Sequence, residues 1–180
     1  MVQYGARELA AAFRTVRGNT IQIAKDIPED KYDFVPVPGT MSVSQVLRHI
    51  IYLPMLQYDF HRDKRVSTLK GYDFPALVTR SKAAESVPRS KAEIVGLLES
   101  EGEQFARWVE SLSPEFLNET YTDTTGQNPR TRFENIMAVK EHEMHHRGQL
   151  MLIERLLGVV PHLTRQREER QRAAAAARAG

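Results

Sequence analysis

Apolar residues recur at intervals of three and four positions in four long stretches of this chain, which is the spacing of amphipathic α-helices. The stretches cover residues 6–27, 42–60, 90–112 and 131–158. In the first stretch, the positions expected on the buried face are Leu9, Phe13, Val16, Thr20, Ile23 and Ile27. Four such segments joined by loops predict an all-α protein built as a four-helix bundle.

The ends of the predicted helices carry sequence signals of their own. Three helices begin with a capping box, formed by the pairs Ser42 and Gln45, Ser90 and Glu93, and Thr131 and Glu134. The last helix is expected to end at Gly158, because glycine readily adopts the left-handed conformation found there. Pro54 falls inside the second helix and removes the hydrogen bond to the carbonyl of Ile50, so we expect a kink.

The connections between these helices are less regular. Residues 63–88 have a weak pattern, in which Phe74 to Ala84 is a candidate short helix. Residues 118–130 are polar and form either a loop or an extended hairpin. We divide the chain into a bundle domain, residues 1–163, and an Arg- and Ala-rich tail, residues 164–180, which is either an exposed helix or a frayed end.

The last long helix is predicted to have two apolar faces. One face carries Ala138, Val139, His142, His146, Gln149, Ile153, Leu156 and Leu157, and the opposite face carries Phe133, Met137, Met144 and Met151. A helix that is apolar on both sides is buried on both sides. The methionine face then packs either within the chain or against a second subunit, and we expect a homodimer.

Composition limits the chemistry. The chain has no cysteine, which excludes disulfides, thiolate metal sites and a cysteine nucleophile. No apolar run approaches the roughly 18 residues of a membrane span, and residues 1–8 lack the apolar core of a signal peptide, so we expect a cytoplasmic protein without a membrane partner. The tail carries a net charge of +3 and the remainder −1, which provides no electrostatic footprint for nucleic acid.

Histidines provide the candidate chemistry. His142 and His146 are four residues apart, so their rings share one helix face and can bind one metal ion. His49 lies in the apolar stripe of the second helix, where a histidine is either a core residue or a third ligand. Three imidazoles leave one tetrahedral position open and suit zinc or nickel. His145 lies at the edge of the same face and is a candidate for the surroundings of the site.

Further residues are candidates for the surroundings of this site. Glu101 interrupts the apolar stripe of the third helix, so we expect it either to reach the solvent edge or to accept a hydrogen bond from a ligand imidazole. Tyr52, Leu53 and Gln149 are expected to line the pocket.

The segment His142-Glu143-Met144-His145-His146 also matches the His-Glu-x-x-His motif of zinc proteases, in which Glu143 is the general base. We rank this interpretation low, because the upstream sequence predicts no strand-rich half and no third ligand follows downstream.

Two segments resemble the DinB/YfiT-like superfamily: residues 142–150, and residues 34–49, which end at His49. The resemblance covers residues 6–160. It implies a four-helix bundle with up-down-down-up topology, often dimeric, and a divalent metal, nickel or zinc in many members, held by His49, His142 and His146. Known activities of the superfamily include thiol-dependent S-transfer and related metal-dependent reactions.

We therefore expect a metal-dependent enzyme, either a hydrolase or a thiol S-transferase. The metal activates a water or an external low-molecular-weight thiol against a small substrate. The alternatives are a non-catalytic, stress-related protein that binds metal or a small ligand, and a purely structural bundle with buried histidines.

Overall fold

Four long helical segments dominate the fold of a computed structural model that describes residues 4–179. They are α1 (Ala6–Asp26), α2 (Val43–Tyr52) with its continuation α3 (Pro54–Gln57), α5 (Lys91–Glu110) and α7 (Arg132–Leu156). The shorter elements are a 3-10 turn (Glu29–Lys31), a π-helical turn (Tyr58–Asp63), α4 (Phe74–Ser86), α6 (Pro114–Asn118) and α8 (His162–Ala179). Two short strands, β1 (Thr120–Tyr121) and β2 (Arg130–Thr131), pair antiparallel, so the hairpin is the alternative that the structure adopts.

The long helices pack as an up-down-down-up four-helix bundle, as predicted. Helices α1 and α2 each contact both α5 and α7. Helices α1 and α7 are parallel, since Tyr4 packs on Phe133 near their starts and Arg17 binds Glu143 further along. Helices α2 and α5 run in the opposite direction. This arrangement places the middle of α2 beside the middle of α7.

The predicted helix ends are confirmed. Ser42, Ser90 and Thr131 each accept a hydrogen bond from a backbone N–H three residues later, and the side chain at that later position accepts one from the backbone N–H of the capping residue. Gly158 follows α7 with a φ of 78°, the left-handed conformation expected of it.

The predicted buried faces are correct for α1 and need correction for α2 and α7. All six positions predicted for α1 are buried. In α2 the buried positions are Val43, Val46, Leu47, Ile50 and Ile51, so the core face lies to one side of His49. The side chain of His49 is 26% exposed and lies at the edge of the core. The predicted apolar stripe of α2 passed through His49. Apolar residues lie on both sides of that position, so the sequence pattern did not show which side faces the core.

Helix α7 buries one face, not two opposite ones. Its buried positions are Arg132, Ile136, Val139, Glu143, His146, Leu150, Ile153 and Glu154. Three of the four residues on the predicted second face, Phe133, Met137 and Met151, are half-buried against apolar clusters of their own chain, and Met144 is 41% exposed. The prediction erred because neither predicted face included Arg132, Glu143 and Glu154, which are buried.

A buried ion pair crosses the middle of the bundle. The guanidinium of Arg17 donates from Nε to Oε1 of Glu143 at 2.9 Å and from Nη2 to Oε2 at 3.0 Å. The Arg17 side chain is 4% exposed and that of Glu143 is 0% exposed. Arg17 also donates to the carbonyls of Leu98 and Ile50, at 3.1 and 3.3 Å. The guanidinium therefore connects α1, α2, α5 and α7.

Two backbone features make room for Arg17. Pro54 has no N–H to offer to Ile50, so the carbonyl of Ile50 is free to accept from Arg17 at the predicted interruption of α2. On α5, Gly102 faces the same side chain. A Cβ at Gly102 would lie 2.7 Å from Cγ of Arg17, so this buried helix position requires glycine.

Helix α8 is mostly exposed and is attached to α1 through its first turn. Nε2 of His162 lies 3.1 Å from Oδ1 of Asn19, and Arg165 donates to Asp26 at 2.6 Å. Among the described residues, the carboxylate of Glu154 beneath this turn has no hydrogen-bond partner although it is fully buried. Burial and the neighbouring Asp26 raise the pKa of Glu154 to about 7.

Replacing one member of the central ion pair should destabilise the protein strongly. Glu143→Gln leaves Arg17 buried without a countercharge, and we expect a loss of about 3–5 kcal/mol in the free energy of unfolding, measured by urea denaturation. The control is Arg14→Met, which removes the partly exposed pair with Glu103 one turn away and should cost less than about 1 kcal/mol. Equal losses in the two variants would contradict the central role of the pair.

Glu154 should make stability depend on pH. Its folded pKa lies above the ordinary value of 4.5, so its stabilising contribution is complete below that value and is lost as the pH rises through about 7. Glu154→Gln cannot ionise and should gain stability relative to wild type at pH 8 but not at pH 5, as measured by thermal unfolding. The exposed Glu141→Gln should show no such pH-dependent difference.

Candidate metal centre

Three histidines from two helices converge at the seam between α2 and α7. The candidate ligand atoms of His49, His142 and His146 all lie within 4.8 Å of one another. Nε2 of His142 lies 2.8 Å from Nε2 of His146 and 3.4 Å from Nε2 of His49. His146 is buried, His142 is exposed and His49 is intermediate, so the cluster opens to the surface on one side.

The other nitrogen of two of these rings faces an oxygen. Nδ1 of His49 lies 3.2 Å from Oε1 of Glu85, and Nδ1 of His146 lies 2.8 Å from Oε1 of Gln149. An oxygen acceptor at Nδ1 favours the tautomer with the proton on that atom, which leaves the lone pair on Nε2. Both rings therefore present a lone pair to the centre of the cluster.

The surroundings of His142 and His146 favour their neutral rings. Burial, together with the neighbouring His146 and His49, lowers the pKa of His142. Burial also lowers the pKa of His146, against an opposing effect of the hydrogen bond with Gln149. Imidazoles that are neutral at pH 7 can act as metal ligands, whereas imidazolium cannot.

The donor set fits a divalent transition metal. In a tetrahedral site with bonds of about 2.1 Å, neighbouring nitrogens are about 3.4 Å apart, the distance between His49 and His142. The distance between His142 and His146 is shorter and would have to widen by several tenths of an ångström. Nitrogen ligands suit zinc or nickel better than magnesium or calcium.

His145 and Gln149 lie beside this cluster. Nε2 of Gln149 lies 3.2 Å from Nε2 of His145, so the amide of Gln149 bridges His145 and His146. The ring of His145 is exposed and forms a hydrogen bond with Gln149.

Two other predicted site residues have their contacts elsewhere. Within residues 4–179, Glu101 makes no hydrogen bond to a histidine, and its charge acts on Tyr58, whose pKa is raised to about 12 mainly by burial. The hydroxyl of Tyr52 accepts a hydrogen bond from Arg89 at 3.0 Å. The residues found at the backs of the rings are Glu85 and Gln149.

Glu143 directly follows His142 in the sequence, but its side chain does not belong to the histidine cluster. Its carboxylate is fully buried and accepts hydrogen bonds from Nε and Nη2 of Arg17, so it cannot receive a proton from a water at the histidines. The protease interpretation of the His-Glu-x-x-His segment therefore fails on this residue. The side chain is part of the bundle core.

Glu85 is the site residue that the sequence analysis missed. It lies at the end of α4, and the buried hydroxyl of Ser81 one turn earlier donates to the same oxygen that faces His49, at 3.0 Å. Leu77, Ser81 and Glu85 are spaced by four, and Leu77 and Ser81 are buried. That spacing was the available signal, and the weak overall pattern of residues 63–88 obscured it.

Comparison of the fold with solved structures gives several similar proteins, each with less than 20% sequence identity. A DinB-like protein, YjoA of Bacillus subtilis, aligns with a TM-score of 0.62 and 19% identity over 84% of this chain and 92% of its own. YfiT of Bacillus subtilis, described as a probable metal-dependent hydrolase with an unusual four-helix bundle topology, aligns with a TM-score of 0.66 and 13% identity over 88% and 91%. The colibactin self-resistance protein ClbS, solved with double-stranded DNA, gives 0.60 and 15% over 84% and 98%.

A search of the curated proteins found none that is similar enough to this chain to count as a match. None of the helices within residues 4–179 has the length and apolar character needed to cross a membrane. The family model of the DinB superfamily matches residues 12–150, which include all three clustered histidines. This chain therefore belongs to the DinB superfamily.

Proposed function

We propose that this protein is a metal-dependent enzyme that holds one divalent ion, zinc or nickel, with His49, His142 and His146. The observation that carries the proposal is the convergence of the three ring nitrogens within 4.8 Å. In such a site a bound ion acts as a Lewis acid and can lower the pKa of water or of a thiol. The description of YfiT as a probable metal-dependent hydrolase supports the same class of reaction.

The chain's own groups have distinct tasks in this proposal. Glu85 and Gln149 hold the rings of His49 and His146 in the orientation that directs Nε2 to the centre. The exposed ring of His142 leaves one side of the cluster open to a substrate. Because the chain contains no cysteine, a reacting thiol has to come from outside. The reaction is either hydrolysis or transfer to a low-molecular-weight thiol.

We propose a small molecule as the substrate, and not a nucleic acid. The bundle has a net charge near zero, which provides little attraction for phosphates. The DNA complex of ClbS is a property of that protein.

We also propose a homodimer. Its support is the exposed side chain of Met144, which is a weaker argument than a fully exposed methionine face would have been.

Metal content after single replacements tests the site. His142→Ala removes a nitrogen that lies at the centre of the cluster, and we expect its zinc affinity to fall by more than the 10–100-fold typical of losing an outer partner. His145→Ala should retain stoichiometric zinc, measured by elemental analysis after dialysis. A turnover screen with esters, and with thiols paired with electrophiles, follows on the wild-type protein.

Two results would overturn this proposal. Wild-type protein that binds neither zinc nor nickel at neutral pH has no metal centre. Loss of metal in His145→Ala with retention in His142→Ala would show that the wrong pair was assigned. Stoichiometric metal without turnover across the screen would favour the non-catalytic binding protein.

Glu85 should matter to metal affinity without being a ligand. In Glu85→Ala the ring of His49 loses the oxygen that fixes its tautomer, and we expect zinc to bind 10–100-fold more weakly in competition with a chelator. Glu141→Ala removes an exposed carboxylate adjacent to His142 and serves as the control. An unchanged affinity in Glu85→Ala, or an equal loss in the control, would show that Glu85 does not position the ring.

A further inference from the structure

An apolar groove lies between residues 36–41 and the last turns of α7. The cavity has a volume of about 450 Å³, within the roughly 300–1,000 Å³ of small-molecule pockets. Val46 and Ile153 are buried and form its floor. Its sides include four large apolar side chains that remain exposed to solvent, Val37, Met41, Leu152 and Leu156.

The groove continues the seam in which the histidines lie. On α2, Val46 precedes His49 by three residues, and on α7, Gln149 follows His146 by three residues. Residues three apart on a helix are neighbours on one face, about 4.5 Å along the axis. The inner end of the groove therefore lies about one helical turn from the three rings. The amide of Gln149 belongs to both places, since it lines the groove and binds His146.

The chemistry of the groove differs from that of the cleft on the other side of α2. Among the residues that the structure describes, no charged side chain lines the groove, and its polar side chains are Thr40 and Gln149. The neighbouring cleft of about 310 Å³ is lined by Arg48, Lys82 and Glu85 among others. A charged group in the groove would lose its hydration without gaining a partner, so the groove favours an uncharged apolar occupant.

The outer wall is held in place by hydrogen bonds. The backbone N–H groups of Val43 and Ser44 donate to the carbonyls of Phe34 and Tyr32, at 3.2 and 2.8 Å. The hydroxyl of Tyr32 donates to the carbonyl of Ala24 in α1 at 2.7 Å. Because both ends of the segment are attached to the bundle, the groove exists before any ligand binds and costs little entropy to fill.

We infer that this groove binds the apolar part of the substrate, with the polar reacting group of the same molecule at the three histidines. The inference rests on the proposed metal centre and specifies its substrate class. The substrate is a small amphiphile, in which an uncharged alkyl or aryl group is attached to a polar head that can contact a metal ion. The groove selects by the size of the apolar group.

Hydroxamates of different chain length test this assignment, because their common head binds metal and their tails differ. With zinc-loaded protein in a calorimeter, octanohydroxamate should bind at least tenfold more tightly than acetohydroxamate, since six more methylene groups leave water. Leu156→Asp should remove most of that gain and leave acetohydroxamate within twofold. Met144→Asp changes an exposed apolar residue of the same helix outside the groove and should affect neither ligand. A phenyl hydroxamate in the same series tells an aryl preference from an alkyl one.

The outcomes separate the groove from the metal centre. If acetohydroxamate binds but chain length brings no gain, or if both aspartate variants lose equally, the groove assignment is wrong. If zinc is not retained, the metal centre fails, and the groove is tested alone by titrating metal-free protein with 1-octanol. Saturable shifts of the Leu152 methyl resonances in wild type, absent in Leu156→Asp, then support the groove, and their absence in wild type refutes it. A wild-type dimer that Leu156→Asp converts to a monomer in sedimentation would identify the groove as a subunit interface and overturn the inference.

Discussion

At the middle of the bundle, the guanidinium of Arg17 binds a carboxylate from α7 and backbone carbonyls from α2 and α5. Each of these contacts occurs where water is excluded, so a shift of any one helix would leave a charge or a carbonyl unsatisfied. Apolar contacts above and below tolerate small displacements, but directional bonds to one cation do not. The pair therefore fixes the rotation of each of the four helices about its axis and its position along that axis.

The same constraint positions the histidines. Glu143 directly follows His142 in α7, and Ile50 directly follows His49 in α2. When Arg17 holds Glu143 and the carbonyl of Ile50, it fixes the two helices at positions adjacent to candidate ligands. The ion pair in the core and the histidine cluster at the edge of the core therefore lie in one layer of the bundle. A substitution in the Arg17–Glu143 pair would therefore displace the histidines without contacting any of their rings.

The sequence predicted the parts of this fold that depend on local chemistry, including the capping boxes, the interruption at Pro54 and the buried face of α1. It could not predict the central ion pair, because a lone Arg17 or Glu143 has the ordinary pattern of a surface residue and only the fold brings them together across 126 positions. The three histidines could be predicted as a set because two of them share a helix face. The role of Glu85 could not be predicted, since it depends on where the weakly patterned helix α4 packs against α2.

The separation of His49 from His142 by 93 residues has a consequence for the synthesis of the protein. At about 5–20 residues per second, the ribosome makes the second half of the site roughly 5–20 s after the first. During that interval His49 has no partner rings, and the later pair alone offers two nitrogens on a helix that has not yet docked. A complete set of three nitrogens appears only after α7 has packed into the bundle. If the three rings hold a metal ion as proposed, all three can bind it only after the bundle has folded.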